Sequence, residues 1–114
     1  MSFSDILKKR IELHGKGDGK GIYALYSDNS QFKEFFPTEE SYCSHFEKIA
    51  LEQVPAHVEV FRETNDDSTG EALYIEVFMR GDTPIKYYSK TLFVKENGAW
   101  KILQEKREEQ SIKD

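Results

Sequence analysis

"VKENGAWKILQEK", residues 94–106, is the stretch that decides the fold. Asn97-Gly98 lies in its middle, between two runs that mix apolar and charged residues. Both central positions of a tight type I′ hairpin turn need a positive φ, and Asn-Gly is a pair that accepts it readily. The stretch therefore predicts two antiparallel strands, of which the second begins with the single tryptophan, Trp100.

The two-residue turn also predicts the register of this hairpin. The expected cross-strand pairs are Lys95 with Trp100, Phe93 with Ile102, Leu92 with Leu103, Lys90 with Glu105 and Lys86 with Glu109. Opposite charges directly across a ladder stabilise it, whereas like charges destabilise it. The predicted register places opposite charges together twice, so the charge pattern is consistent with it.

Near the turn, both faces of the hairpin carry apolar side chains. Trp100, Ile102 and Phe93 share one face, and Leu92, Leu103 and Val94 share the other. An antiparallel sheet with one face in water needs only one apolar face. We therefore expect cover on both sides, from helices on one face and from a second subunit or chain segment on the other.

From residue 56 onward, the sequence predicts strands separated by turns. They are expected at 56–64, 72–80, 85–95 and 99–107, with polar turns at 65–71 and 81–84 and a frayed tail at 108–114. In the second strand, one face is apolar and the other mixes aromatic and charged residues. The apolar set is Leu73, Ile75, Val77 and Met79, and the mixed set is Tyr74, Glu76, Phe78 and Arg80. Aromatic and arginine side chains are enriched at subunit interfaces, so the mixed face is the predicted interface.

The first half of the chain predicts three helices. Apolar residues recur at spacings of three and four over residues 4–14, with Ser4 or Asp5 as the cap. The glycine-rich segment 15–21 is predicted to be a turn, and a second helix is expected at 20–28. Residues 29–37 predict a loop or a short helical turn. A third helix is expected to begin after Thr38 as its N-cap and to end before Pro55.

Composition restricts the function classes. At 114 residues the chain is expected to form one domain, 1–114. A net charge of −5 argues against nucleic-acid and anionic-membrane partners, which both favour a basic patch. Cys43 is the single cysteine, so neither a disulfide nor a thiolate metal cluster is expected. We expect no cofactor, no signal peptide and no membrane span, and a cytoplasmic location.

The order of three helices and a bent antiparallel sheet resembles the nuclear transport factor 2-like superfamily, also called cystatin-like α+β cones. "NGAWKIL" (97–103) is similar to the apolar-Trp-Lys-Ile pattern of its last strand, and "GDGKGIYALYS" (17–27) looks like its second helix. The resemblance covers about residues 4–108. It implies an α+β fold in which three helices pack on a strongly bent, cone-shaped half-barrel of about four strands around a pocket. It also implies frequent dimerisation through the sheet.

The resemblance does not settle function, because the superfamily includes ketosteroid isomerase, polyketide cyclases, dehydratases and domains without known activity. Enzymes of this kind place an Asp, His or Tyr in the pocket. No aspartate of this chain falls within a predicted strand, so no catalytic residue is assigned. His14, His45 and His57 lack the spacing of a metal site. The glutamates on predicted strands, Glu59, Glu63 and Glu76, are expected at solvent or at an interface.

Aromatic side chains are the better candidates for binding, because they combine flat apolar area with a polar tip. The predicted ligand-binding residues are Tyr26, Tyr42, His45, Tyr87 and Trp100. The leading hypothesis is a homodimeric domain that binds a small apolar or aromatic molecule without evident catalysis. One alternative is an isomerase, cyclase or dehydratase that uses His45 with a pocket tyrosine. Another is a protein-interaction module that uses the outer sheet face.

Overall fold

The structure, a computed structural model, describes residues 2–109. Four helices precede four strands. The helices are α1 (Phe3–Gly15), α2 (Gly19–Ala24), α3 (Gln31–Phe35) and α4 (Glu39–Ile49). The strands are β1 (Val54–Asn65), β2 (Thr69–Arg80), β3 (Thr83–Glu96) and β4 (Ala99–Glu109). They form one antiparallel sheet in the order β1-β2-β3-β4, so the predicted α+β class is confirmed. Within these residues no helix is both long and apolar enough to cross a membrane.

Helix α1 begins earlier than the sequence predicted. Ser2 is the N-cap, and its hydroxyl accepts a hydrogen bond from the Asp5 amide while the Asp5 carboxylate accepts from the Ser2 amide. This reciprocal capping box satisfies two amides that the helix cannot pair internally. The buried face of the helix includes one charged residue: its members are Phe3, Ile6, Leu7, Arg10 and Leu13.

Helix α2 ends at Ala24, four residues before the predicted end. The prediction is wrong there because the following backbone pairs with β4 instead of continuing the helix. The Ile102 amide donates to the Leu25 carbonyl at 2.9 Å, and the Ser27 amide donates to the Ile102 carbonyl at 2.8 Å. This short parallel bridge attaches the helical layer to the last strand.

Helix α4 confirms the predicted cap. The Thr38 hydroxyl accepts from the Ser41 amide at 3.1 Å, and the Ser41 hydroxyl accepts from the Thr38 amide. Tyr42 and Phe46 are buried on the inner side of the helix. Ile49, one turn after the inward-facing residues, is 37% exposed. The helix therefore contributes two anchoring rings and leaves its last turn at the surface.

The hairpin turn is confirmed, with φ of 52° at Asn97 and 80° at Gly98. Phe93 pairs with Ile102, as predicted. The ladder then shifts, because Leu92 pairs with Gln104 and leaves Leu103 as an extra residue. A β-bulge of this kind changes which residues of a strand point to each face.

Beyond this bulge the predicted register is wrong. Lys90 lies opposite Lys106 and not Glu105, and Tyr87 rather than Lys86 lies opposite Glu109. The extra residue at Leu103 places Glu105 opposite the buried Thr91 and Arg107 opposite the buried Ser89. The predicted fraying also began too early, because residues 108–109 belong to β4. The rest of that predicted tail, 110–114, lies outside the described residues.

The two faces of β2 are reversed relative to the prediction. Tyr74, Glu76 and Phe78 are buried on the face that the helices cover. Leu73, Ile75 and Val77 are half-buried on the outer face. The mixed face is therefore not a subunit interface, and Glu76, which was expected at solvent or at an interface, is only 3% exposed. Its burial is possible because two arginines, Arg10 of α1 and Arg107 of β4, neutralise it.

Candidate functional site

A cavity of about 440 Å³ lies between the helices and the inner face of the sheet. Its walls are mainly apolar, with side chains from all four helices and from β2. These wall residues are Ile11, Ile22, Phe32, Phe36, Phe46, Ile49 and Phe78. A concave, mostly apolar space with a few converging polar groups is typical of a small-molecule site.

Three of the five predicted ligand-binding residues line this cavity: Tyr26, Tyr42 and His45. The other two lie elsewhere. Tyr87 accepts a hydrogen bond at 3.2 Å from Nε2 of Gln53, and Gln53 itself is in the lining. Trp100 packs edge-on against the ring of Phe3, with 5.1 Å between centroids, in a separate part of the core.

The aromatic side chains of the cavity contact one another and form a continuous wall. Phe32 stacks on Tyr26 with 3.8 Å between ring centroids, and it meets Tyr42 edge-on at 4.8 Å. The ring of Phe36 lies 5.3 Å from that of Tyr42 and 5.0 Å from that of His45. Each ring is held by a neighbour, so the wall offers preformed flat apolar area.

The floor of the cavity is a charged network that joins α1 to β2 and β4. Its four members are Arg10, Glu76, Glu105 and Arg107. Nη1 of Arg10 donates to Oε1 of Glu105, and Nη2 of Arg10 lies 3.5 Å from Oε2 of Glu76. Nε of Arg107 donates to Oε1 of Glu76 at 3.0 Å. The two guanidinium groups and two carboxylates balance in charge.

Neutral hydroxyl groups complete the hydrogen bonds of this floor. Tyr26 accepts from Nη1 of Arg10 at 2.9 Å and donates to Oε2 of Glu105 at 3.0 Å. Ser89 donates to Oε1 of Glu76 at 3.1 Å. Each oxygen of both carboxylates therefore faces a donor, which is the condition under which buried charge is tolerated.

Burial and charge act against each other at the ionisable groups of the floor. Burial would lower the pKa of Arg10, but the carboxylate of Glu105 and the surrounding oxygens raise it, and the resulting pKa lies well above its ordinary value. Burial would raise the pKa of Glu105, but Arg10 and Arg107 lower it below its ordinary value. Both groups are therefore charged at neutral pH.

The tyrosines of the site respond mainly to burial. Burial raises the pKa of Tyr42 and of Tyr74 to about 12 each, with Arg10 opposing the rise in both cases. Burial and the neighbouring Glu105 carboxylate raise the pKa of Tyr26 further still. All three hydroxyls therefore remain protonated at physiological pH.

The charged floor was not predicted from the sequence. Arg10 interrupts the apolar stripe of α1, and this was the available signal, since a charged residue in such a stripe is buried with a partner or snorkels to water. The partners carried no signal, because the bulge at Leu103 decides that Glu105 and Arg107 face inward.

The remaining histidine of the lining is already engaged. Nε2 of His14 lies 2.8 Å from the Ala50 carbonyl and donates to it, which links the end of α1 to the end of α4. Among residues 2–109, no group of three His, Cys, Asp or Glu side chains is arranged to hold a metal ion.

No protein-family model and no curated protein matches the chain, but several solved structures do. A domain of unknown function with a cystatin-like fold from Nostoc punctiforme aligns with a TM-score of 0.72 and 12% identity, over 97% of this chain and 80% of that one. A SEC-C motif-containing protein from Rhodopseudomonas palustris aligns with a TM-score of 0.68 and 16% identity, over 89% and 74%.

A nuclear transport factor 2-like protein of unknown function from Shewanella oneidensis aligns with a TM-score of 0.65 and 14% identity, over 91% of this chain and 93% of that one. Structural similarity at identities this low establishes the fold and not the function. The chain therefore has the cystatin-like α+β fold of the nuclear transport factor 2-like proteins, as its sequence indicated.

Proposed function

We propose that this protein binds a small aromatic or apolar molecule in the cavity between its helices and its sheet. The observation that carries the proposal is the aromatic wall of a cavity of about 440 Å³. The lining distinguishes this space, because aromatic rings from the helices and charged groups from the sheet converge on it. Its volume falls within the range of about 300–1,000 Å³ found for ligand pockets.

Binding is better supported than catalysis because the hydroxyl of Tyr26 is committed to the protein. It donates to Glu105 and accepts from Arg10, so its proton is not directed at a substrate oxygen. An isomerase, cyclase or dehydratase would then depend on His45 with Tyr42. Among the described residues, no hydrogen bond orients the ring of His45, whereas a general base is normally held by a partner.

The proposal is tested with the neutral probe 2-naphthamide, titrated into the protein by calorimetry. Ile49 lines the cavity and Leu51 is 90% exposed just after α4, so Ile49→Trp and Leu51→Trp are a matched pair. We expect the unmodified protein and Leu51→Trp to bind the probe equally, and Ile49→Trp to lose binding because the indole fills the space. Equal binding by both variants contradicts the proposal, as does a failure to bind both this probe and its carboxylate analogue, 2-naphthoate.

We further propose that the outer sheet face forms a homodimer. Its central row of half-buried apolar residues on β2 is flanked by Phe61, which is 59% exposed, and Tyr88, which is 43% exposed. Charges of both signs border the row, with Glu59 on β1 and Lys86 on β3, so a second copy in the opposite orientation would bring unlike charges together.

Native mass spectrometry tests the dimer, with Ile75→Lys at the centre of the row and Asp67→Lys in the β1–β2 turn as its control. We expect a dimer for the unmodified protein and for Asp67→Lys, and a monomer for Ile75→Lys. A monomeric unmodified protein contradicts the homodimer and favours the third hypothesis, in which this face binds another protein. Any mass released on denaturation identifies a ligand carried through purification.

A further inference from the structure

We infer that the ligand of this cavity carries a carboxylate group, which pairs with the guanidinium of Arg107. The inference rests on the proposed ligand binding and extends it from the shape of the cavity to the chemistry of its floor. The hydrogen-bonding capacity of the four charged floor residues carries the argument, because it differs sharply between donors and acceptors.

The acceptors of the floor are already engaged. Oε1 of Glu76 receives hydrogen bonds from Ser89 and Arg107, and Oε2 of Glu76 faces Arg10 at 3.5 Å. The two oxygens of Glu105 receive hydrogen bonds from Arg10 and Tyr26. At the floor, a ligand that offers only donors would have to compete with these bonds, and the other acceptors of the lining include the exposed carboxylate of Glu52 and the ring of His45.

Arg10 is engaged as well and is only 10% exposed at its side chain. Its Nη1 serves Tyr26 and Glu105, while its Nη2 serves Tyr74 at 3.4 Å and faces Glu76. These four contacts account for the two hydrogens on each of its terminal nitrogens. Arg10 therefore holds the other floor residues together, and its own donors are not available to a ligand.

Arg107 is in the opposite situation. Guanidinium carries five N–H donors, and within residues 2–109 the hydrogen bonds of Arg107 use only Nε. Its side chain is 38% exposed and belongs to the cavity lining, and its guanidinium lies beside the inward-facing Phe78, which leaves the two terminal nitrogens for a ligand of the cavity. These nitrogens form the planar fork that binds a carboxylate through two parallel hydrogen bonds.

The surroundings of Arg107 hold this fork in place and strengthen it. Its guanidinium carbon lies 4.9 Å from the ring centroid of Phe78 and 6.0 Å from that of Tyr87. Rings beside a guanidinium exclude water and reduce the local dielectric, so an ion pair formed there is stronger than one at the surface. Phe78 also lines the cavity, so the fork and an apolar wall adjoin each other.

The arrangement matches a molecule with an aromatic or apolar body and one carboxylate. The test compares 2-naphthoate with 2-naphthamide, two probes of nearly equal shape that differ in charge. We expect the unmodified protein to bind 2-naphthoate about tenfold more tightly, because charge-assisted hydrogen bonds are about twice as strong as neutral ones. Arg107→Gln should remove this preference, which is the ratio of the two affinities measured on the same variant.

Two further variants keep the result interpretable. Arg62→Gln, at an exposed position of β1, is the matched control and should retain the full preference. Arg107→Lys should retain part of it, because lysine keeps the charge but not the fork. Should Arg107→Gln fail to fold, the decision passes to Arg107→Lys, for which an undiminished preference overturns the inference.

Each outcome has one meaning. Equal binding of both probes by the unmodified protein overturns the carboxylate inference and leaves the proposed function intact. A preference that survives in Arg107→Gln places the anion elsewhere and also overturns the inference. Binding of neither probe overturns the proposed function for aromatic molecules of this size, and the inference with it.

Discussion

Arg10 and Glu105 lie 95 positions apart in the chain, and their side chains form a largely buried ion pair. The pair connects the first helix to the last strand across the inside of the fold. Because Arg10 also faces Glu76 on β2, one side chain joins three elements. The same contacts form the floor of the cavity, so stability and the proposed binding site depend on one network.

This relationship predicts strong coupling between the two residues. Removing one partner leaves the other charge with less compensation inside the fold, since Arg10 keeps only Glu76 and Glu105 keeps the Tyr26 hydroxyl, and the cost is at most about 3–5 kcal/mol. We expect Arg10→Met and Glu105→Gln each to lower the free energy of unfolding markedly, and the double variant to lower it by less than the sum. Urea unfolding of all four proteins, followed by circular dichroism, measures this difference. Strictly additive effects contradict a direct interaction.

Glu105 also predicts how stability depends on acid. Its pKa in the folded protein lies below the ordinary value of 4.5, because the charges of Arg10 and Arg107 outweigh the opposite effect of burial. Its contribution is therefore complete above pH 4.5 and is lost as the pH falls through the lower folded pKa. Unfolding measured between neutral and acidic pH should be less pH-dependent in Glu105→Gln. Glu47→Gln, at an exposed position of α4, should retain the dependence of the unmodified protein.

The raised pKa of Tyr74 leads to a prediction for the stability of the protein at alkaline pH. Burial raises its pKa from 10.0 to about 12, so above pH 10 the unfolded state loses a proton that the folded state keeps. The stability from this group is complete below pH 10 and falls as the pH rises toward 12. Tyr74→Phe should be less stable at neutral pH, since it loses the 2.6 Å hydrogen bond to Thr91, but its stability should fall less steeply in alkali.

The alkaline prediction is measured by urea unfolding at a series of pH values, with tyrosinate absorbance recorded in parallel. Part of the slope should persist in Tyr74→Phe, because the pKa of Tyr42 is raised to about 12 as well. Identical slopes for the two proteins would show that Tyr74 ionises equally easily in the folded and unfolded states.

Gly70 occupies a position where we expect that no side chain is tolerated. A Cβ at this residue of β2 would lie 2.2 Å from Cζ of Phe3, whose ring stacks on Phe93 with 4.2 Å between centroids. Because that ring is enclosed, Gly70→Ala should cost about 1–3 kcal/mol of unfolding free energy. Gly15→Ala is the control, since its Cβ would meet nothing within 4 Å. Equal effects in urea unfolding would contradict a steric cause.

Local signals in the sequence predicted the elements of this fold. Asn97-Gly98 has the positive φ values that a tight hairpin turn needs, and Thr38 caps the helix that it was expected to cap. Each of these features depends on a few neighbouring residues, whose own conformational preferences are enough to determine it. The helical and strand periodicities are local in the same sense, and for that reason the α+β order was predictable.

The cavity was only partly predictable. Tyr26, Tyr42 and His45 were expected in it and line it, Tyr42 and His45 from α4 and Tyr26 from the segment that pairs with β4. Trp100 was expected there too, but it lies against Phe3 near the start of α1. The position of a residue along a strand does not indicate which part of the helical layer will cover it.

The sequence by itself therefore determined the elements, their order and the hairpin that ends the sheet. Only the tertiary structure decided which polar residues face inward. A single extra residue at Leu103 places Glu105 and Arg107 on the inner face, and Glu76 is buried because Arg10 reaches it from α1. There are two physical reasons. Side chains alternate between the faces of a strand, so one extra residue moves every later side chain to the opposite face. A charge is buried only where a partner, here one distant in sequence, compensates it.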